Sequence, residues 1–160
     1  MTFAPLPFYC LYLYLTLRLS WHDWRSGLLP DRLTCPLLWC GVLYYLCLRT
    51  PQLPSSLWGA IAGYSTFALI YWGYRWLRHQ EGLGYGDVKL LAALGAWHGW
   101  QCLPALVLTS SLLALLAVGL MARYKHQRQI IKNPLPFGPF LVAAGYMMVG
   151  LDALAFNLNL

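Results

Sequence analysis

Charge is scarce in this sequence. Asp and Glu together number five in 160 residues, and charged side chains make up 10% of the chain, against about a quarter in an ordinary soluble domain. With 59% hydrophobic residues and a mean hydropathy of +0.53, this excludes a water-soluble globular chain and leaves a single integral-membrane domain, residues 1–160. No C-x-x-C pair occurs among Cys10, Cys35, Cys40, Cys47 and Cys102, and no histidine completes a zinc-ligand spacing. No metal or cofactor is therefore expected, and the cysteines read as small, reduced, apolar residues. The N-terminus has no basic n-region and no small-residue cleavage site, so a retained first span is expected rather than a signal peptide. Internal repeats and low-complexity runs are absent. The net charge of +6 does not imply nucleic acid, because the basic residues are spread over the connections between apolar segments.

What the sequence does have is apolar segments near spanning length, roughly 20 residues. Six fit: Phe3–Leu19, Cys35–Leu48, Leu57–Leu77, Val88–Trp97, Leu103–Ala122 and Phe137–Phe156. The expected fold is all-α, a polytopic membrane protein of about six transmembrane helices. Gly59 and Gly63 form a G-x-x-x-G spacing that permits close helix contact. The short fourth span is rich in small residues (Ala92, Ala93, Gly95, Ala96), as suits a helix packed inside a bundle. The connections after the first, third and fifth spans, with their flanks, hold Arg18, Arg25, Arg32, Arg75, Arg78, Lys89, Arg123, Lys125, Arg128 and Lys132; Arg49 alone falls on the other side. This bias puts those connections in the cytoplasm and both termini opposite.

Two carboxylates then occupy equivalent places. Asp23 follows the first span, and Asp87, in Gly84-Tyr85-Gly86-Asp87, opens the fourth. An ionisable group at the edge of hydrocarbon is costly and marks a functional site. If the two helices are neighbours the carboxylates can meet, and within about 3 Å only one can ionise. The ionised member would draw a proton from water and the protonated member would donate to a carbonyl oxygen, hydrolysing a peptide bond without a metal or a covalent intermediate. Gly84 and Gly86 can adopt positive φ and leave room for a substrate backbone. Tyr85 either packs on substrate or anchors at the interface.

Three stretches carry a resemblance: Asp23-Trp24-Arg25-Ser26-Gly27-Leu28-Leu29-Pro30-Asp31-Arg32-Leu33-Thr34, Glu81 through Trp97, and Pro136-Phe137-Gly138-Pro139-Phe140-Leu141. Together they resemble the prepilin peptidases, bacterial GxGD-type aspartic membrane proteases. The resemblance implies Asp23 and Asp87 as the catalytic pair, with Pro30, Gly84, Tyr85, Gly86 and Gly138 supporting the motif. It implies an enzyme of the bacterial inner membrane, its site facing the cytoplasm. The implied substrate is a prepilin or pseudopilin with a basic leader, a glycine at the cut and an apolar helix seated in membrane lipid. Many members carry a zinc-binding extension with two C-x-x-C pairs and methylate the new N-terminus. This sequence resembles the short form, so methyltransferase activity is expected to be absent. A small proton-coupled transporter and a catalytically silent assembly component of a pilus or secretion system are the alternatives. The transporter would want midplane carboxylates and inverted repeats.

Among the other residues, Asp31 reads as a helix cap or local ion pair. Glu81 reads as a solvated loop residue, or one that pairs with Arg78 or attracts a basic leader, and Lys89 either snorkels to the interface or tunes the proton affinity of Asp87. His22 is expected to be a spectator, His79, His98 and His126 receive no role, and Trp72, Trp76, Trp97 and Trp100 read as interface belts. Asp152 receives no catalytic role.

Overall fold

The computed structural model describes residues 4–78, 84–124 and 136–158, excepting the side chains of 122–124 and 151–158. The expectations for His79, Glu81, His126, Lys125, Arg128 and Lys132 lie outside these residues, as do those for the side chains of Arg123 and Asp152. The fold is all-helical, with no strand among the described residues. Its six α-helices are α1 (Leu6–Ser26), α2 (Asp31–Leu48), α3 (Leu53–Arg78), α4 (Tyr85–His98), α5 (Leu103–Tyr124) and α6 (Gly138–Leu158). Single 3₁₀ turns, Thr50–Gln52 and Trp100–Cys102, lead into α3 and α5.

Helix ends differ from the apolar runs in an informative way. α1 continues beyond Leu19 to Ser26, and Gly27, at φ 63°, stops it in the left-handed conformation while donating its N–H to the Asp23 carbonyl at 2.8 Å. α2 begins at Asp31, ahead of Cys35, and α4 at Tyr85, ahead of Val88. Backbone hydrogen bonding does not stop where hydrophobicity stops, so both aspartates lie on helices rather than in connections.

α4 is the centre of the bundle. Every residue from Leu90 to Trp97 is buried, as are Asp87 and Val88. A helix apolar all round belongs in the interior, and its small residues let neighbours approach. The Gly59/Gly63 expectation is met there. A Cβ on Gly63 would lie 2.7 Å from the Leu91 carbonyl oxygen, and one on Gly59 would collide with the carbonyl of Gly95. α1 packs by a stripe, Tyr12, Leu15, Thr16, Leu19 and Asp23, spaced three and four apart as one helix face requires. Trp97 corrects the expectation of an interface belt. It is 6% exposed, donates from Nε1 to the Leu37 carbonyl at 2.8 Å, and stacks on Tyr44, whereas Trp72, Trp76 and Trp100 are exposed.

Among the described residues one helical segment, Trp100–Met121, is by itself long and apolar enough to cross a membrane, with mean hydropathy 2.2; Gly138–Gly150 is a shorter apolar stretch. The others fall short for a chemical reason. α1, α2 and α3 interleave their leucines with Tyr, Trp and Arg, each carrying a polar atom, and α4 has 14 residues.

Candidate active site

Asp23 stands on the last turns of α1 and Asp87 on the first turn of α4, 4% and 7% exposed. The two helices run antiparallel. Tyr12, early in α1, meets Trp97 and His98 at the end of α4, while the charge on Asp23 acts on Asp87 at the other end. The two carboxylates, distant in sequence, thus lie at the same end of the bundle, near enough for the charge on one to raise the other, with no hydrogen bond between them among the described residues.

Their surroundings are unequal. Asp23 Oδ2 accepts the backbone N–H of Gly138 at 3.0 Å. Gly138 is the first residue of α6, and the positive end of a helix favours a carboxylate there. Pro139 has no N–H and the Phe140 N–H turns back to the Phe137 carbonyl, so the sequence Phe-Gly-Pro-Phe leaves one backbone donor for the aspartate. A Cβ at Gly138 would lie 2.7 Å from Asp23 Oδ2, so no larger residue allows that approach unchanged. Asp87 Oδ1, by contrast, is buried with no hydrogen-bond partner among the described residues.

Burial raises Asp23 above the ordinary carboxylate range, and the Gly138 N–H first and the neighbouring His22 second pull it back. Burial first, and the charge of Asp23 second, push Asp87 up to about 7. Both carboxyls are thus held above the ordinary range, and Asp87, the more deeply desolvated and without a donor on Oδ1, is the one that holds a proton more strongly.

The glycines act by size. No positive φ occurs at Gly84 or Gly86, contrary to expectation; among the described glycines only Gly27 and Gly99 have one. Gly84 is extended (φ −67°, ψ 129°) as the residue ahead of α4, and a Cβ there would lie 3.1 Å from Asp87 Oδ2. A Cβ on Gly86 would lie 2.7 Å from the Leu29 Cβ. Gly86 therefore lets the Leu29–Pro30 segment cross α4 one residue before the aspartate. Pro30 precedes α2 in an extended conformation, and its carbonyl receives the N–H groups of Leu33 and Thr34. Tyr85 joins α3, with its hydroxyl 2.7 Å from that of Tyr64 and its ring 5.4 Å from Tyr71.

Asp31 does not cap a helix. It receives both contacts of Lys89 Nζ, at 2.6 and 2.8 Å, tying α2 to α4 beside the site. Neither Leu29 nor Gly27 was singled out in the sequence. Gly27 could have been, since glycine just past a periodic run signals a helix end; a leucine carries no comparable signal. His22 bonds through Nδ1 with the Leu28 carbonyl at 3.0 Å, holding the turn after α1. Among the described residues no three His, Cys, Asp or Glu side chains gather as a metal site.

Residues 10–120 match the model of the type IV leader peptidase family. That stretch contains both aspartates and ends before Gly138. The leader peptidase HopD of Escherichia coli is 58% identical over 153 residues, covering 94% of this chain and 96% of that protein. The HopD of Salmonella typhimurium is 54% identical over 91% of this chain and 93% of its own length. A prepilin leader peptidase/N-methyltransferase of Dickeya chrysanthemi is 49% identical over 82% of this chain but 46% of its own length. No solved structure matches.

Proposed function

This chain belongs to the type IV leader peptidase family, and from that premise we propose that it is a membrane aspartic endopeptidase that removes the leader of a prepilin or pseudopilin. The observation that carries the reading is the pair Asp23 and Asp87, buried, electrostatically coupled and unequally partnered. Asp23 takes a proton from a water whose oxygen adds to the scissile carbonyl carbon, and Asp87 gives its proton to the carbonyl oxygen. When the tetrahedral intermediate collapses, the C–N bond breaks, the proton held by Asp23 passes to the leaving amine, and one hydroxyl proton of the intermediate returns to Asp87 as the new carboxyl C=O forms. The low-dielectric surroundings strengthen each of these hydrogen bonds.

All six helices cross the bilayer in this reading, with the site at the cytoplasmic boundary and both termini opposite. The outer surface supports it. Trp76 is 83% exposed, Leu69 74% and Leu115 69%, an apolar exterior that water would not tolerate. Arg25, Arg32, Arg75, Arg78 and Lys89 sit on helix ends near the aspartates, while Arg49 lies at the far end of α2. That boundary is where a substrate with a basic leader in water and an apolar helix in lipid would present its scissile bond. Collinearity with relatives named as leader peptidases alone supports peptidase activity without N-methylation.

The test is cleavage of a prepilin in native membranes. Wild type should shorten it, Asp23→Asn and Asp87→Asn should each abolish the size shift at normal expression, and a chelator should change nothing. Turnover by either variant at the wild-type rate would refute the dyad.

A further inference from the structure

α1 and α4 both pack on α2 and α6, but their backbones hardly approach one another, so what they touch of each other directly is side chains. The contact farthest from the aspartates is the most built. The Tyr12 hydroxyl lies 3.3 Å from His98 Nε2, and the Tyr12 ring lies 4.7 Å from that of Trp97. The Tyr146 ring of α6 stands edge-on at 5.8 Å, and a Cβ at Gly145 would come within 2.8 Å of the Tyr12 hydroxyl. Trp97 is itself held by α2, through its indole on the Leu37 carbonyl and through the Tyr45 hydroxyl on its own carbonyl, both at 2.8 Å. Tyr12 thus seats on a platform that α4 cannot move without breaking bonds to α2.

From this contact the two arms are equal. Asp23 lies eleven residues after Tyr12, and Asp87 eleven residues before His98. Eleven residues are close to three helical turns, about 16 Å at 1.5 Å per residue. Each carboxylate therefore falls at the same depth and on the same helix face as its end of the contact. A slip of one residue would displace Asp23 by about 1.5 Å and swing it by about 100°, and errors near 1 Å can cost about a hundredfold in rate.

We propose that Tyr12 and His98, seated on Trp97, are positioning residues that pin the α1/α4 register and thereby set the meeting of Asp23 with Asp87. The inference rests on the dyad reading above. Its test uses the full chain in membranes, with prepilin cleavage measured across pH and normalised to folded protein. Tyr12→Ala and His98→Ala should lower kcat about 10- to 100-fold with KM within about twofold. They should also move the alkaline limb of the profile to lower pH, because a displaced Asp23 no longer opposes loss of the proton from Asp87. His98→Gln, which keeps a hydrogen-bonding partner for Tyr12, should restore both. A loss that merely tracks folded protein, with the limb unmoved, overturns the pin. Should the alanine variants not accumulate, Tyr12→Phe removes the bond and keeps the ring. Its limb should move part-way towards acid, and a wild-type profile there overturns the proposal. Absence of cleavage by wild type would count against the peptidase reading instead.

Discussion

The two ends of α4 are built differently. At the C-terminal end, the carbonyls of Ala96 and Trp97 accept the hydroxyls of Ser56 and Tyr45, the indole of Trp97 is bonded, and Gly95 lies backbone against backbone with Gly59. At the N-terminal end, a carboxyl oxygen of Asp87 is buried with no partner among the described residues. An unmet polar group of that kind costs about 1–3 kcal/mol. It persists because the satisfied end and the close α3 contact hold the helix whether or not the aspartate is content. The lesson is a division of labour along one helix: the end whose Ala96 and Trp97 groups are bonded to α2 and α3 fixes the geometry, and, on the proposed reading, the end with an unmet carboxyl oxygen is left to act on a substrate.

The sharpest way to break this contrast is to neutralise the reactive end. Asp87→Asn should reduce prepilin cleavage by at least about 10³-fold, within the range of general acid–base catalysis, without loss of folded protein, as a solubilised thermal melt would show. The equally abrupt opposite is Gly59→Leu, which forces a side chain into the Gly95 backbone and should deplete folded protein from the membrane; normal accumulation would mean the α3–α4 contact is not fixed. Next comes Gly138→Ala. Its Cβ falls 2.7 Å from Asp23 Oδ2, so the carboxylate must move off the α6 N-terminus, and kcat should fall about 10- to 100-fold.

A smaller effect concerns pH. Asp87 is raised from 3.8 to about 7, so the folded state binds a proton that the unfolded state releases. This contribution to stability is full below about pH 4 and is lost as pH rises through about 7. The melting temperature should therefore fall between pH 5 and 8, and Asp87→Asn should flatten that slope. Cleavage should decline above pH 7 over the same interval as the proton leaves the dyad. The smallest expected effect belongs to Lys89→Ala. The Lys89–Asp31 bridge is partly exposed (30% and 59%), exposed pairs contribute about 0–1 kcal/mol, and cleavage should stay within about twofold. A hundredfold loss would mean that this pair belongs to the reactive end.

Much of the site was legible because rare chemistry stands out in an apolar chain. With five acidic residues in the whole sequence, Asp23 and Asp87 are conspicuous, and glycines two apart before the second are hard to explain in a helix unless something comes close. Pro30 and Gly138 entered through a resemblance, and the structure supplies a steric reason for Gly138, whose missing side chain admits Asp23. Other features were illegible in kind. Trp97 has the same sequence signature as Trp100, yet one is a buried platform and the other faces outward. Hydropathy cannot tell them apart because it sums side chains without knowing which way the helix turns. Gly86 suggested an unusual backbone angle; the real reason is Leu29, from another element.

Composition and spacing alone pointed to an all-helical chain poor in charge, with two carboxylates at corresponding ends of apolar segments. Tertiary structure alone decided which of them meets a helix N-terminus and which is left without a partner. Donor geometry from α6, burial from α3 and the axial setting of α1 against α4 converge from separate parts of the chain, and the unequal proton affinities of two identical side chains exist only after those parts have packed.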